Sequence, residues 1–187
     1  MNALPAQLSP AINGLISRRA TAADVDAIVA LVNSAYRGET SRAGWTSEAD
    51  ILGGQRTDAR EISHLIAADG SAILLALQDG EIVGSVHVER MDAATAYLGM
   101  LVIRPVLQGR GLGRRFMEEA ERYVRAEWGA SRVQMQVITR RHELIAYYER
   151  RGYRRTGEIR PFPAADPRFG LPKIEGIEFE VLEKDLG

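Results

Sequence analysis

Cysteine is absent from all 187 residues. That excludes disulfide staples, thiolate metal sites and a cysteine nucleophile. Lysine occurs only as Lys173 and Lys184, so nearly every cation is an arginine. An excess of one charge is also missing: Lys+Arg 24 against Asp+Glu 25 gives a net charge of −1. No global field therefore draws the chain to nucleic acid or to a membrane. Apolar runs long enough to cross a bilayer are lacking. Met1 to Leu15 carries no positive charge and is broken by Pro5 and Pro10, unlike a signal peptide. His64 and His142 stand at no spacing suited to a metal, and the serine elbow of hydrolases does not occur.

What is present suits one substantial domain. Hydrophobic residues make up 45% and charged residues 26%, a normal globular balance for a chain able to bury a full core. Residues 1–15 read as a loose arm and 16–187 as a single domain, with no repeat or linker to divide it. Ile16 to Ala20 forms a short strand. Thr21 and Asp24 then make a capping box before a helix whose buried stripe is Val25, Ile28, Val29, Val32 and Tyr36, closed by Gly38. Ser47 to Leu52 has a short helical look. Thr57-Asp58 caps a second helix with Ile62, Leu65 and Ile66 inward. Ala72–Gln78 and Glu81–Glu89 are strands joined by Asp79-Gly80, a strong hairpin signal. In the second, Ile82, Gly84, Val86 and Val88 share one face.

Ala96 to Ile103 is an apolar run of strand length, ended by Pro105. Val106-Leu107-Gln108-Gly109-Arg110-Gly111-Leu112-Gly113 follows and opens a helix carrying Leu112, Phe116, Ala120, Tyr123 and Val124 at helical spacing. Gly129 ends that helix. The first N–H groups of a helix lack internal partners, and its dipole adds roughly half a positive charge there. Glycines remove the Cβ atoms that would hold an anion away. A diphosphate suits such a turn. Gly113 is followed by Arg114 and Arg115, not Lys-Ser/Thr, so this is no nucleotide P-loop. The dinucleotide fingerprint fails as well, because Arg114 stands where its third glycine belongs.

The pattern instead resembles the Q/R-x-x-G-x-G/A pyrophosphate loop of the GNAT superfamily of acyl-CoA-dependent N-acyltransferases, with Gln108, Gly111 and Gly113 at its fixed positions. A second stretch, Ala146-Tyr147-Tyr148-Glu149-Arg150-Arg151-Gly152-Tyr153, is similar to the superfamily's other signature, in which a tyrosine stands four residues before Gly plus an aromatic. The remaining elements fall in the GNAT order. A strand follows at Val133 to Ile138, then a helix ended by Gly152, a strand from Tyr153 to Ile159, a proline-rich loop and a last strand from Ile177 to Leu182. The fold class is α/β (α+β): a mixed, strongly twisted sheet flanked by helices on both faces.

The resemblance implies acetyl-CoA as co-substrate and no metal. It assigns cofactor contacts to Leu101, Val102 and Ile103 on a strand that splays from its neighbour, and to Gln108, Gly109, Arg110, Gly111, Leu112 and Gly113. Tyr148 becomes the donor to the departing thiolate, while Tyr147 packs in the core. Tyr36, Trp45, Glu48 and Glu89 fall on the acceptor side, where aromatics beside acids suit a cationic amine. Tyr97 stands where some relatives carry a carboxylate base, leaving Glu89, His87 or Glu48 through a water. Arg141 replaces a common cofactor-contacting asparagine and reads as a solvated surface residue. The expected activity is acetyl transfer to a primary amine of a small molecule, in a cytoplasmic monomer or homodimer without nucleic-acid or membrane partners. A protein N-terminus or lysine is the alternative acceptor, and a non-catalytic acyl-CoA sensor the alternative class.

Overall fold

The computed structural model describes residues 15–37, 41, 47–164, 166 and 170–187. The N-terminal arm, Trp45 and the Gly38 stop lie outside them. Strands β1 (Leu15–Arg19), β3 (Ser71–Gln78), β4 (Glu81–Arg90), β5 (Thr95–Ile103), β6 (Arg132–Ile138), β7 (Arg154–Pro161) and β9 (Glu178–Asp185) form one sheet. Its order is β1-β3-β4-β5-β6-β9-β7. Every neighbouring pair is antiparallel except β5 and β6. That parallel pair is joined by the long helix α3 (Leu112–Trp128), since parallel neighbours need a crossover.

Helices cover both faces. Helices α1 (Val25–Tyr36) and α2 (Ala59–Ala67) bury Ile28, Leu31, Val32, Ala35 and Ile62 against Ile73, Leu75, Met100 and Val102. On the other face α3 and α4 (His142–Glu149) bring Phe116, Met117, Ala120, Val124, Ile145 and Tyr148 onto Leu74, Val86, Val88 and Leu98. A strand sandwiched between two helical layers is apolar throughout, which explains the unbroken run from Ala72 to Leu77.

Of three register shifts in the sheet, the two nearest β5 depart from simple alternation as follows. In β4 the pairing steps from Leu77 with Ile82 to Ala76 with Gly84, leaving Val83 as an extra residue. Ile82 consequently packs with the α1 layer and Val83 joins the α3 layer, so Ile82 does not share a face with Val86 and Val88. In β5 the pairing steps from Val102 with Ser85 to Gly99 with His87. Met100 takes a left-handed backbone there, with φ 47°. Ahead of this bulge Ala96 and Leu98 face α3, and beyond it Leu101 and Ile103 do.

Ser47 to Leu52 is a single turn, its helical look confined to Leu52 N–H donating to Glu48 O at 2.8 Å. Leu52 then enters a two-residue strand β2 (Leu52–Gly53) paired with β8 (Leu171–Pro172), so the proline-rich segment is tied down. The capping box forms, with Thr21 N–H donating to Asp24 Oδ2 at 2.8 Å. Asp24 also receives both arms of Arg18, at 2.7 and 2.8 Å, which pins β1 to the head of α1.

The Arg18 hydrogen bonds hold the Asp24 carboxyl down at about 2. A depressed carboxyl pKa stabilises the fold above the ordinary value near 3.9, and this is lost as pH falls through the folded value. After discounting for partial solvent screening, Asp24→Asn should cost about 1–2 kcal/mol at pH 7. Denaturant titrations should show the gap to wild type closing below about pH 4.

Candidate active site

Strands β5 and β6 stay paired only from Thr95–Arg132 to Tyr97–Gln134. Beyond that point they part, and two carbonyls of β5 are met by side chains. Tyr36, at the last residue of α1, donates its hydroxyl to Leu101 O at 2.8 Å. Gln108 Nε2 donates to Ile103 O at 2.9 Å, so the glutamine of the glycine turn holds the strand end. The expected splay is therefore present.

A cleft of about 660 Å³ opens at the end of β5. Leu101, Ile103, Gln108, Gly109, Gly111, Gly113 and Arg114 form one side, and Leu144, Tyr147, Tyr148, Arg150 and Arg151 of the α4 region form the other. Helix α3 begins here with Gly111 as its cap, at φ 78°, a residue with no side chain to bond the helix's first N–H groups. No acidic residue lies in its first turn. Gly109 is left-handed too, at φ 81°. A Cβ on Gly109 or Gly111 would meet nothing within 4 Å, so these two glycines serve the turn's backbone conformation. Arg110 is exposed, Leu112 packs against the α3 core and Val102 is buried in the α1 layer. The side chains of these three do not line the cleft.

A second, smaller cavity of about 130 Å³ occupies the gap between the parted strands. Tyr36, Glu48, Arg56, Tyr97 and Arg141 line it, with Leu101, Leu144 and Tyr148 shared with the first. Tyr148 thus stands at the junction. Its ring lies edge-on between Tyr147 and Tyr153, at centroid distances of 5.5 and 5.7 Å. Burial drives its pKa far above the ordinary phenol value, with Tyr36 and Tyr147 nearby adding to the rise. The hydroxyl therefore stays protonated at any physiological pH.

Several expectations need correction. Tyr147 is not plain core: it lines the cleft, with the Arg151 guanidinium stacked 3.3 Å from its ring centroid. Arg141 is half-buried in the smaller cavity, not a solvated surface residue. Glu89 is exposed near the end of β4 and reaches neither cavity. His87 is buried beside Ser71 Oγ at 3.0 Å, with its ring 6.1 Å from that of Tyr97. Burial, with Arg56 assisting, lowers the His87 pKa to about 4, so the ring is neutral near pH 7. Of the carboxylates and histidine considered as bases, Glu48 alone lines a cavity, paired with Arg37. Arg56 carried no local sequence signal for its position, whereas Arg150 and Arg151 form one of the arginine pairs that suit phosphate contacts or solvated faces. The described residues contain no group of three His, Asp or Glu able to hold a metal.

The sequence matches the model of the acetyltransferase (GNAT) family over residues 29–153, well over half of the chain. The chain belongs to the GNAT family. Solved structures share its fold at low identity. An acetyltransferase from Salmonella typhimurium with acetyl-CoA bound is 18% identical, with a TM-score of 0.67, covering 94% of this chain and 95% of that one. The ribosomal-protein-alanine N-acetyltransferase of Brucella melitensis is 18% identical at TM-score 0.66, covering 91% and 99%. A protein assigned as a phosphinothricin N-acetyltransferase is 17% identical at TM-score 0.68, covering 92% and 99%. No curated protein matches the sequence. The GNAT fold described above, a mixed sheet with helices on both faces, is the one the two signatures implied.

All six tyrosines have raised pKa values, burial being the first cause for each. A raised phenol pKa stabilises the fold below the unfolded value near 10 and is lost as pH climbs through the folded one. At pH 10 the native protein should therefore show a small fraction of the phenolate absorbance seen in denaturant. Equal absorbance in both would contradict the buried tyrosine cluster.

Proposed function

We propose that the protein transfers an acetyl group from acetyl-CoA to the primary amine of a small molecule. The observation that carries this reading is the meeting of two cavities at Tyr148. The larger suits the cofactor. It combines an uncapped helix N-terminus, a glycine turn open to close backbone approach and the three guanidinium groups of Arg114, Arg150 and Arg151. Arg151 adds a buried Nε without a partner in the protein. Diphosphate recognition would thus fall to the N–H groups from Gly109 to Gly113, and the parted strand at Leu101 to Ile103 would accompany the pantetheine arm.

Acetyl-CoA, when bound, supplies the acetyl group as a thioester. The protein's own part is to orient and to move protons. Tyr148 donates its hydroxyl proton toward the sulfur as the carbon–sulfur bond breaks, then regains one from solvent. The amine enters through the smaller cavity past Tyr36 and Glu48. Glu48 receives the proton released as the new carbon–nitrogen bond forms, through a water. The small volume of this cavity, well below the roughly 300–1,000 Å³ of drug-sized pockets, favours a compact acceptor over a peptide. Release of free thiol from acetyl-CoA with a panel of amines tests the activity directly.

Two variants separate the roles. Gly113 carries no positive φ, and a Cβ there would touch only Tyr147 Oη at 3.5 Å and Ile103 Cγ1 at 3.7 Å. Gly113→Asp should therefore fold, since an acid is favourable near a helix N-terminus. Its carboxylate would oppose the diphosphate, so calorimetry should show CoA affinity reduced at least about tenfold, roughly the effect of one unfavourable charge contact. Unchanged affinity would remove the glycine turn from the cofactor site. For Tyr148→Phe, the ring and its packing are kept while the proton donor goes. A thiol with pKa near 8.5 is already a fair leaving group, so kcat should fall by about 10², the low end for acid catalysis. KM should change little, and Tyr147→Phe should be close to silent in kcat.

A further inference from the structure

The smaller cavity is not built for a purely cationic amine. Among the described residues its walls carry three guanidiniums, Arg37, Arg56 and Arg141, against one carboxylate, Glu48. Arg37 is taken up by Glu48 in an ion pair whose arginine side chain is only 5% exposed. Arg56 is different. Its backbone N–H donates to Asn33 Oδ1 at 2.7 Å, and Asn33 also brackets Thr57, accepting from its N–H and donating to its carbonyl. A half-buried side chain of α1 thus clamps the residue at the cavity wall. The Arg56 guanidinium lies 5.7 Å from the Tyr36 ring centroid and makes no hydrogen bond or ion pair with any described residue.

Its charge reaches the site nonetheless, since Arg56 acts on Tyr36, Tyr97 and His87 alike. Arg141 acts likewise on Tyr36 and Tyr148. Leaving the Arg56 guanidinium in a partly dehydrated cavity is costly without an anion to meet it. A guanidinium is also suited to grip a planar carboxylate or a tetrahedral oxyanion through two parallel hydrogen bonds.

We propose that the acceptor is an amino acid or amino-acid-like compound: a primary amine that carries an oxyanion group, held by Arg56 on the Arg141 side of the cavity. This rests on the acetyltransferase reading and narrows its substrate class. The oxyanion docks at the guanidiniums while the amine faces the junction at Tyr148. The same cations disfavour the ammonium form, leaving more of the bound amine neutral and nucleophilic. A simple alkylamine or polyamine would meet repulsion instead of an anchor.

The test uses the full chain with acetyl-CoA and three sets of probes: free α-amino acids, aminophosphonates, and the matching amines or carboxamides without the anion. Thiol release should favour anionic acceptors by about 10²-fold or more in kcat/KM over their neutral counterparts, and the first two sets distinguish carboxylate from phosphonate recognition. Arg56→Gln should raise the KM of the anionic acceptor about 10- to 100-fold, leave the acetyl-CoA KM unchanged, and be partly rescued by Arg56→Lys. Preference for amines without an anion, or an Arg56→Gln variant that affects all probes equally, would overturn the proposal and leave the transferase reading standing. Should no probe be turned over, calorimetry on the CoA-loaded protein decides. Binding of anionic amines alone would support the acceptor class against the transferase reading, and binding of none would overturn the acceptor class.

Discussion

The structure turns on where β5 and β6 stop pairing. A parallel pair in the middle of a sheet ordinarily continues, because every backbone N–H and C=O left over must be matched. Here the ladder ends at Tyr97 and Gln134, and the polar groups of β5 beyond it need other partners. Tyr36 and Gln108 meet the carbonyls of Leu101 and Ile103 from opposite ends. The bulge at Met100, with its left-handed backbone, turns Leu101 and Ile103 toward the α3 side, where the larger cavity lies. The gap that results is lined by residues 97–101 of β5, by residues 135–138 of β6 and by Leu144 and Tyr148 of α4.

Rigid surroundings make that gap usable. Tyr148 is wedged between two other rings, and the rearmost of these, Tyr153, donates its hydroxyl to Glu121 Oε1 at 2.9 Å. Lys184 Nζ reaches the other oxygen of the same carboxylate at 2.6 Å. This buried network ties α3, the end of α4 and β9 together behind the site, so the phenol at the junction is held by packing on several sides. Glycine enters the design at another point: a Cβ on Gly99 would stand 2.5 Å from the Tyr97 ring, so only glycine lets that tyrosine fold back over its own strand.

Charge is distributed by the same logic. The net charge of the chain is −1, yet the larger cavity holds arginines around a helix N-terminus and the smaller one is also arginine-rich. Each cavity has one acid in its lining, Glu143 in the larger and Glu48 in the smaller, and other acids sit on outward faces, as in the exposed pairs of Arg104 with Glu81 and Arg154 with Asp185. A neutral total therefore hides two local positive fields.

Much of this was legible in the sequence. The helices announced themselves by apolar spacing and by caps such as Asp58 and Gly129, because those signals are local. The glycine turn and the Tyr-x-x-x-Gly-Tyr stretch named the family and pointed to Gln108, Gly111, Gly113 and Tyr148, because backbone conformation at a turn demands particular residues wherever it occurs. The bulges at Val83 and Met100 were not legible, since apolar side chains fill both faces of these strands and alternation carries no information there. Nor were the β2–β8 pair, the cavity positions of Arg56 and Arg141, or the distance of Glu89 from the site. Those depend on which distant segments meet, as when Asn33 of α1 clamps residues 56 and 57. Local chemistry determined the elements and the glycine turn. Tertiary packing alone decided which arginines face the smaller cavity, because their positions are set by contacts between segments far apart in the chain.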